Sequence, residues 1–410
     1  MSCELEPEVR DTDYRLPTTD YGVELPDSPE LAEAARRWRS AYVHIPFCSR
    51  RCPYCDFAVV ASDEAGGLDT GRYIDALVAE IGMEPDPSAV DAINFGGGTP
   101  TRLRPDDLAR IVDTIDARFG IADSPEISIE ANPEDWAIAL AGQLREIGFN
   151  RVSFGIQSFD PVVLAALGRV HSPLDAERAF AGARIAGFKN VSIDLIYGTP
   201  EESDESWRRT VAQAIALEPD HLSAYALTVE GGTALSRAVL GGAPGPDPDD
   251  QADRYEYLDV AARSAGFVRY EVSNWARPGH SCRYNLSTWM MGEFAAFGTG
   301  AHDHRGGVRA RNIRRLDAYL ARVESGARPR SGSECLGEFE SERERFMVGL
   351  RLSSGVALGS IGGPFVRSDE GRRLVDAGVI TVRDDRVVVL KPLLTDLVAR
   401  SVLSVSAGDC

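Results

Sequence analysis

The chain has 410 residues, with 44 Lys plus Arg against 63 Asp plus Glu and a formal net charge of −19 at pH 7. That length holds one large domain and a smaller one, and a hydrophobic share of 43% is enough for a packed core. So acidic a chain argues against a large nucleic-acid footprint, which needs a basic face, and no run reaches the roughly 18 apolar residues of a membrane helix.

The start, MSCELEPEVRD, carries no secretory apolar region, and an odd number of cysteines suits a reducing interior better than a disulfide framework. A cytoplasmic protein is expected, with no nucleic-acid partner and no stable membrane insertion. Residues 1–38 are acidic and proline-punctuated, and are read as an extension that packs loosely or not at all. From about residue 40 short β-branched runs alternate with amphipathic stretches. The runs are Tyr42–Ile45, Ala92–Phe95, Glu126–Glu130, Arg151–Phe154, Val191–Ile196 and His221–Tyr225. Several of the intervening stretches, such as DDLARIVDTIDARFG and LAGQLREIGF, end in glycine just before the next strand, a helix-stop signal.

Repeated strand–helix units imply parallel strands joined by crossovers. A cysteine loop, Gly96–Pro100, Glu130–Pro133, Gly155–Phe159 and Asp194–Pro200 follow or close successive strands, so polar and glycine-rich features gather at the strands' C-terminal ends. In a (β/α) barrel those ends form the active-site face. Six units rather than eight predict a partial (β/α)6 barrel over 39–325, with a doubly wound sheet as the alternative. A loop at SGARPRSGSE marks a boundary, and 330–410 is expected to form a small winged-helix-like domain with a hairpin at Asp384-Asp385. Its acidic setting suggests a lid or packing role rather than DNA binding.

Cys48, Cys52 and Cys55 lie within eight residues, in YVHIPFCSRRCPYCDF. A structural zinc site would need a fourth ligand nearby. Three thiolates suit a 4Fe–4S cluster with one iron left open to bind a small molecule. The alternatives are buried thiols or an incomplete zinc site. A strand followed by C-x-x-x-C-x-x-C, with Tyr54 just before the last cysteine, resembles the radical S-adenosylmethionine (SAM) superfamily. The resemblance implies that SAM chelates the open iron and is cleaved to methionine and a 5′-deoxyadenosyl radical.

YVHIPFC, CPYCDF, FGGGTPT, ISIEANP, RVSFGIQSF, LGRVHS and VSIDLIYGTP occur in order. In combination they resemble the oxygen-independent coproporphyrinogen III oxidase family, and within it the haem-chaperone (HemW-like) branch. The resemblance implies that Cys48, Cys52 and Cys55 hold the cluster. It implies that Tyr42, Tyr54, Gly97, Gly98, Thr99 and Glu130 surround SAM. Gln157, Arg169 and Asp194 match residues that hold a second SAM in the oxidase, and could equally be structural ion-pair residues.

Two departures select the branch. Phe57 stands where the oxidase has a further cysteine, which argues against oxidase activity. The chaperone motif HNxxYW reads Tyr284-Asn285-Leu286-Ser287-Thr288-Trp289 here, with tyrosine in place of the histidine implicated in haem binding. Tyrosinate, thiolate and imidazole can all ligate haem iron. Tyr284, Cys282 and His280 are therefore candidate haem ligands, with His302 and His304 more distant ones. His44 and His171 are assigned only packing or hydrogen bonding. Arg50 and Arg51 beside the cluster offer a docking spot for an acidic, flavodoxin-like electron donor, or else belong to a solvated loop. The expected function is haem binding for transfer to an acceptor protein. The alternatives are coproporphyrinogen III decarboxylation and two-SAM methyl transfer.

Overall fold

The computed structural model describes residues 31, 34–62, 69–85 and 88–406. Most of the segment read as an N-terminal extension lies outside these. Its last residues belong to the folded body, because Ala35 is fully buried and packs with Trp38 against Tyr270, Leu286, Met290 and Leu352.

Six parallel strands form the centre of the large sheet in chain order: β1 (Ser40–Ile45), β2 (Val90–Gly97), β3 (Ile121–Ala131), β4 (Arg151–Gln157), β5 (Asn190–Tyr197) and β6 (His221–Ala226). Each predicted strand falls inside one of them. Helices Thr70–Gly82, Pro105–Phe119, Ile138–Ile147, Pro173–Ile185 and Asp204–Ala216 lie between consecutive strands. Gly120 (φ 77°) and Gly148 (φ 117°) close two of these helices with positive φ, a conformation that costs any residue with a Cβ.

The sheet stays open, since β1 and β6 do not pair. Beside β6 lie the antiparallel strands Asn274–Ala276 and Val268–Glu271. Beside β1 lie Phe294–Phe297, parallel to it, and then His302–Arg305, Val308–Asn312 and Arg330–Cys335, making twelve strands in all. The segment read as a loop from 325 to 335 therefore supplies an edge strand of this sheet.

The two faces of the sheet differ sharply, because side chains alternate along a strand. Val43, Phe95, Ile129, Val152, Phe154, Ile193, Leu195 and Leu222 are at most 1% exposed and pack into the core. The other face is polar and runs across the strands in rungs. Glu130, Ser153, Ser192 and His221 stand side by side, as do Gly155, Asp194, Ser223 and Asn274. A polar face on β3 to β6 and the adjoining strand is the setting for a ligand rather than for packing.

Residues 338–405 have their own core, including Phe346, Leu350, Phe365, Val387 and Val398. It joins helices Glu338–Gly349, Gly359–Arg367 and Asp369–Asp376 to a three-stranded sheet. The hairpin Ile380–Arg383/Arg386–Val389 turns at Asp384 (φ 47°) and Asp385 (φ 57°). Two positive φ values match the twist of the strands, and aspartate tolerates them better than most residues.

Candidate functional site

The cysteine loop leaves β1 at Pro46 and rests on the glycine turn that ends β2. The Gly98 amide donates to the Ile45 carbonyl at 2.8 Å, and the Thr99 amide to the Phe47 carbonyl at 2.8 Å. The glycines are needed for closeness. A Cβ on Gly98 would stand 2.7 Å from the Phe47 carbonyl oxygen and 3.0 Å from Cys48 Sγ. Gly97 has φ 111°, and a Cβ there would meet the His44 ring at 2.5 Å. His44 bonds to Tyr42 (3.1 Å) and to the Ala58 carbonyl (2.9 Å), so it props the turn from below. The prop is a packing and hydrogen-bonding role, as the sequence suggested.

Cys48, Cys52 and Cys55 are half-buried free thiols. Burial, helped by charge on Cys55 and Cys52, pushes the Cys48 thiol up to about 11, against the Thr99 hydroxyl and Arg169, which lower it. Burial also raises Cys55. Cys48 and Cys55, whose ionisation burial disfavours, call for a cationic group beside them. Among the described residues no three Cys, His, Asp or Glu side chains close on a single metal ion.

A belt of hydrogen bonds ties this loop to the ends of three strands. Thr99 Oγ1 lies 3.9 Å from Cys48 Sγ, and Asn132 Nδ2 donates to Thr99 Oγ1 at 2.8 Å. Arg169 donates to Asn132 Oδ1 and to the Gly155 carbonyl (2.9 Å), and its Nη1 lies 3.8 Å from Cys52 Sγ. Asn132 was missed from sequence; its place in ISIEANP, two residues beyond Glu130, was the available signal. Tyr54 packs on Val163, Leu167, Ile196 and Leu227 beside Cys52, and burial raises its phenol.

Glu130 accepts from the Gly97 amide at 3.2 Å, and its carboxyl is pushed up to about 7 by burial and by Asp194. Asp194 takes a hydrogen bond from Ser153 at 2.8 Å; burial raises it, and Ser153, Ser223, Arg151 and Ser192 counter that. Gln157, at the end of β4, has φ 67°, next to a register shift between β4 and β5. Two carboxyl groups and a left-handed glutamine therefore face the same polar cleft as the cysteine loop.

Tyr284 comes from helix Arg283–Trp289, far along the chain, yet its ring stacks on Tyr42 (centroids 5.9 Å, 23° apart). Its phenol is raised by burial, by Cys282 and by Glu130. Cys282 is 5% exposed, and its thiol is pushed up to about 12 by burial and by the neighbouring Glu126. His280 is half-buried in the loop before the helix, with its carbonyl accepting from Arg151 at 3.1 Å. The structure thus brings Tyr284 to the cofactor face, and leaves Cys282 and His280 lower, near Arg151. His302 and His304 lie on the flanking strand His302–Arg305, with His304 near Phe294.

A strand, a three-cysteine loop, a glycine turn and a carboxylate on the next strand define a radical SAM protein, and the Radical SAM superfamily profile matches residues 42–214. The chain is 39% identical over 381 residues to "Heme chaperone HemW" of Mycobacterium tuberculosis (strain ATCC 25618 / H37Rv), covering 92% of this chain and 97% of that protein. It is 34% identical over 343 residues to "Heme chaperone HemW" of Bacillus subtilis (strain 168), covering 81% and 88%. In fold it is similar to coproporphyrinogen III oxidase of Escherichia coli, with TM-score 0.78 at 22% identity over 90% of this chain and 91% of that one. The chain belongs to the HemW family of the radical SAM superfamily.

A 4Fe–4S cluster and SAM follow from the superfamily, and the residues present fit them. Three sulfur donors meet the needs of iron, and Gly98 leaves a cradle that a single Cβ would fill. Gly98→Ala is expected to leave the chain folded while weakening cluster retention about 10- to 100-fold, the usual cost of disturbing a ligand's support. Iron per chain after a chelator wash checks this; unchanged iron would show that Gly98 does not shape the loop.

Proposed function

We propose that this chain is a cytoplasmic haem carrier that delivers haem to an acceptor protein, with the cluster and SAM assisting transfer. Cys48, Cys52 and Cys55 would hold the cluster. Tyr42, Tyr54, Gly97, Gly98, Thr99 and Glu130 would line SAM, and Gln157, Arg169 and Asp194 extend the same face. When bound, cluster and SAM supply an electron and a reactive radical source. The chain's own residues orient them and shelter them from water. The division into an N-terminal extension, a barrel whose sheet runs on through Arg330–Cys335, and a winged-helix-like module over 338–405 belongs to the same reading. No helix among the described residues is long and apolar enough to cross a membrane.

The observation that carries the reading is Phe57. It is 65% exposed at the rim of the cysteine loop, where an oxidase would have a further thiol. An exposed ring at a cofactor mouth suits a planar apolar ligand better than a redox step. Supplied with SAM, a reductant and coproporphyrinogen III, the loaded protein is expected to release no stoichiometric 5′-deoxyadenosine. Stoichiometric release with decarboxylated porphyrin would establish the oxidase instead, and S-adenosylhomocysteine would indicate methyl transfer.

A flavodoxin-like donor is proposed to dock at Arg50. The neighbouring Arg51 donates to the Val59 carbonyl within the loop, so reversing it would disturb the loop itself. Arg50→Glu alone is expected to slow cluster reduction by the acidic donor several-fold at low salt while sparing dithionite. Equal rates with the protein donor would remove the docking role.

A further inference from the structure

His221 is fully buried at the start of β6, and neither the cluster nor the proposed SAM contacts use it. Its Nδ1 lies 2.8 Å from Ser192 Oγ, and its Nε2 2.8 Å from the Tyr270 hydroxyl. Ser192 Oγ in turn lies 3.4 Å from Asp194 Oδ1. At the far end, Asn285 Nδ2 lies 3.4 Å from the Tyr270 hydroxyl. The line therefore runs from Asn285, in the helix that carries Tyr284, to Asp194 on the cofactor face.

The direction of this line follows from who can donate. An amide nitrogen only donates, so the Tyr270 oxygen accepts from Asn285. Tyr270 is 2% exposed, and among the described residues its proton has one hydrogen-bond acceptor in reach, His221 Nε2. His221 must then carry its own proton on Nδ1 and give it to Ser192. The single hydroxyl proton of Ser192 is left to point at Asp194, which ends the line as an acceptor.

We propose that His221 is a positioning residue for Asp194, held in its Nδ1–H form by a one-way line of hydrogen bonds that begins at Asn285. Burial, with Arg151 and His280 facing it, keeps the ring neutral, as the line requires. Asp194 also faces Ser153, Ser223, Arg151 and Glu130, so the line orients one oxygen of a carboxylate that several groups share. The arrangement links the helix with the altered haem motif to the SAM face, and in that sense it rests on the function proposed above.

The first test is direct and independent of any ligand. In protein labelled with 15N-histidine, the two ring nitrogens of His221 are expected to show a protonated Nδ1 and an unprotonated Nε2. Asn285→Asp replaces the donor by an acceptor and is expected to reverse this assignment. An Nε2–H form in the unaltered protein, or no reversal in the variant, would overturn the proposal. The second test is SAM affinity of the cluster-loaded protein. His221→Phe is expected to weaken it about tenfold, whereas His221→Asn, which keeps a donor at the Nδ1 position, stays within about threefold of the parent. Equal losses in the two variants would reduce His221 to a packing residue. If the parent itself fails to bind SAM, the cofactor reading fails while the tautomer result stands.

Discussion

Replacing Cys48, Cys52 and Cys55 together by alanine is expected to abolish the iron content and brown absorbance of the anaerobically reconstituted protein. Each thiol is half-buried, and burial raises Cys48 and Cys55, so without a cation those two stay neutral thiols. Iron binding supplies the charge that makes thiolates stable there, and loading should release protons. Alanine removes the donors but leaves the backbone bonds of Gly98 and Thr99 that anchor the loop. Folding should therefore survive, as circular dichroism would show. Persistent colour and iron in the triple variant would refute the cluster assignment.

The second large effect concerns Glu130. Its carboxyl, pushed up to about 7 by burial and by the neighbouring Asp194, is only half-ionised near neutral pH. A cationic ligand stabilises the ionised form, so binding releases a proton and tightens as pH rises. Between pH 6 and pH 8 the SAM affinity of the cluster-loaded protein is expected to rise roughly tenfold. Asp194 is raised by burial too, with Ser153, Ser223, Arg151 and Ser192 opposing. Glu130→Gln keeps the shape but removes the charge, and should weaken SAM about 10- to 100-fold at pH 8 while flattening the pH profile. Isothermal titration at three pH values checks both. A variant that binds as tightly, or binds more tightly as pH falls, would exclude Glu130 from the site.

The sequence made the six central strands legible because they are buried on one face and β-branched, and their helices end in glycine. The flanking strands were not legible for a physical reason. His302–Arg305 (HDHR) and Val308–Asn312 (VRARN) lie toward the sheet's edge, with little apolar surface to bury, so they carry no alternating signal. Arg330–Cys335 was hidden by Gly and Ser, which read as loop but tolerate an edge. Within the site, the cysteines and glycines announce themselves by spacing. Asn132 does not, because its part is to join Thr99 to Arg169, and the chain separates those two by 70 residues. The stack of Tyr284 on Tyr42 and the line through His221 are likewise products of the fold, made by residues with no motif in common.

Tyr284 bears most directly on function. Its ring lies against Tyr42 on the cofactor face, and burial holds the phenol protonated in the absence of a cation. Ferric haem iron is such a cation and could draw a tyrosinate. The measurement that tests the haem-carrier account is an anaerobic titration of the cluster-loaded protein with haem, followed by absorbance, with Tyr284→Phe in parallel. The account predicts saturation at one haem per chain, with a spectrum that changes in the variant. Absence of saturable binding in the parent would contradict it, and would leave a radical SAM protein acting on some other substrate.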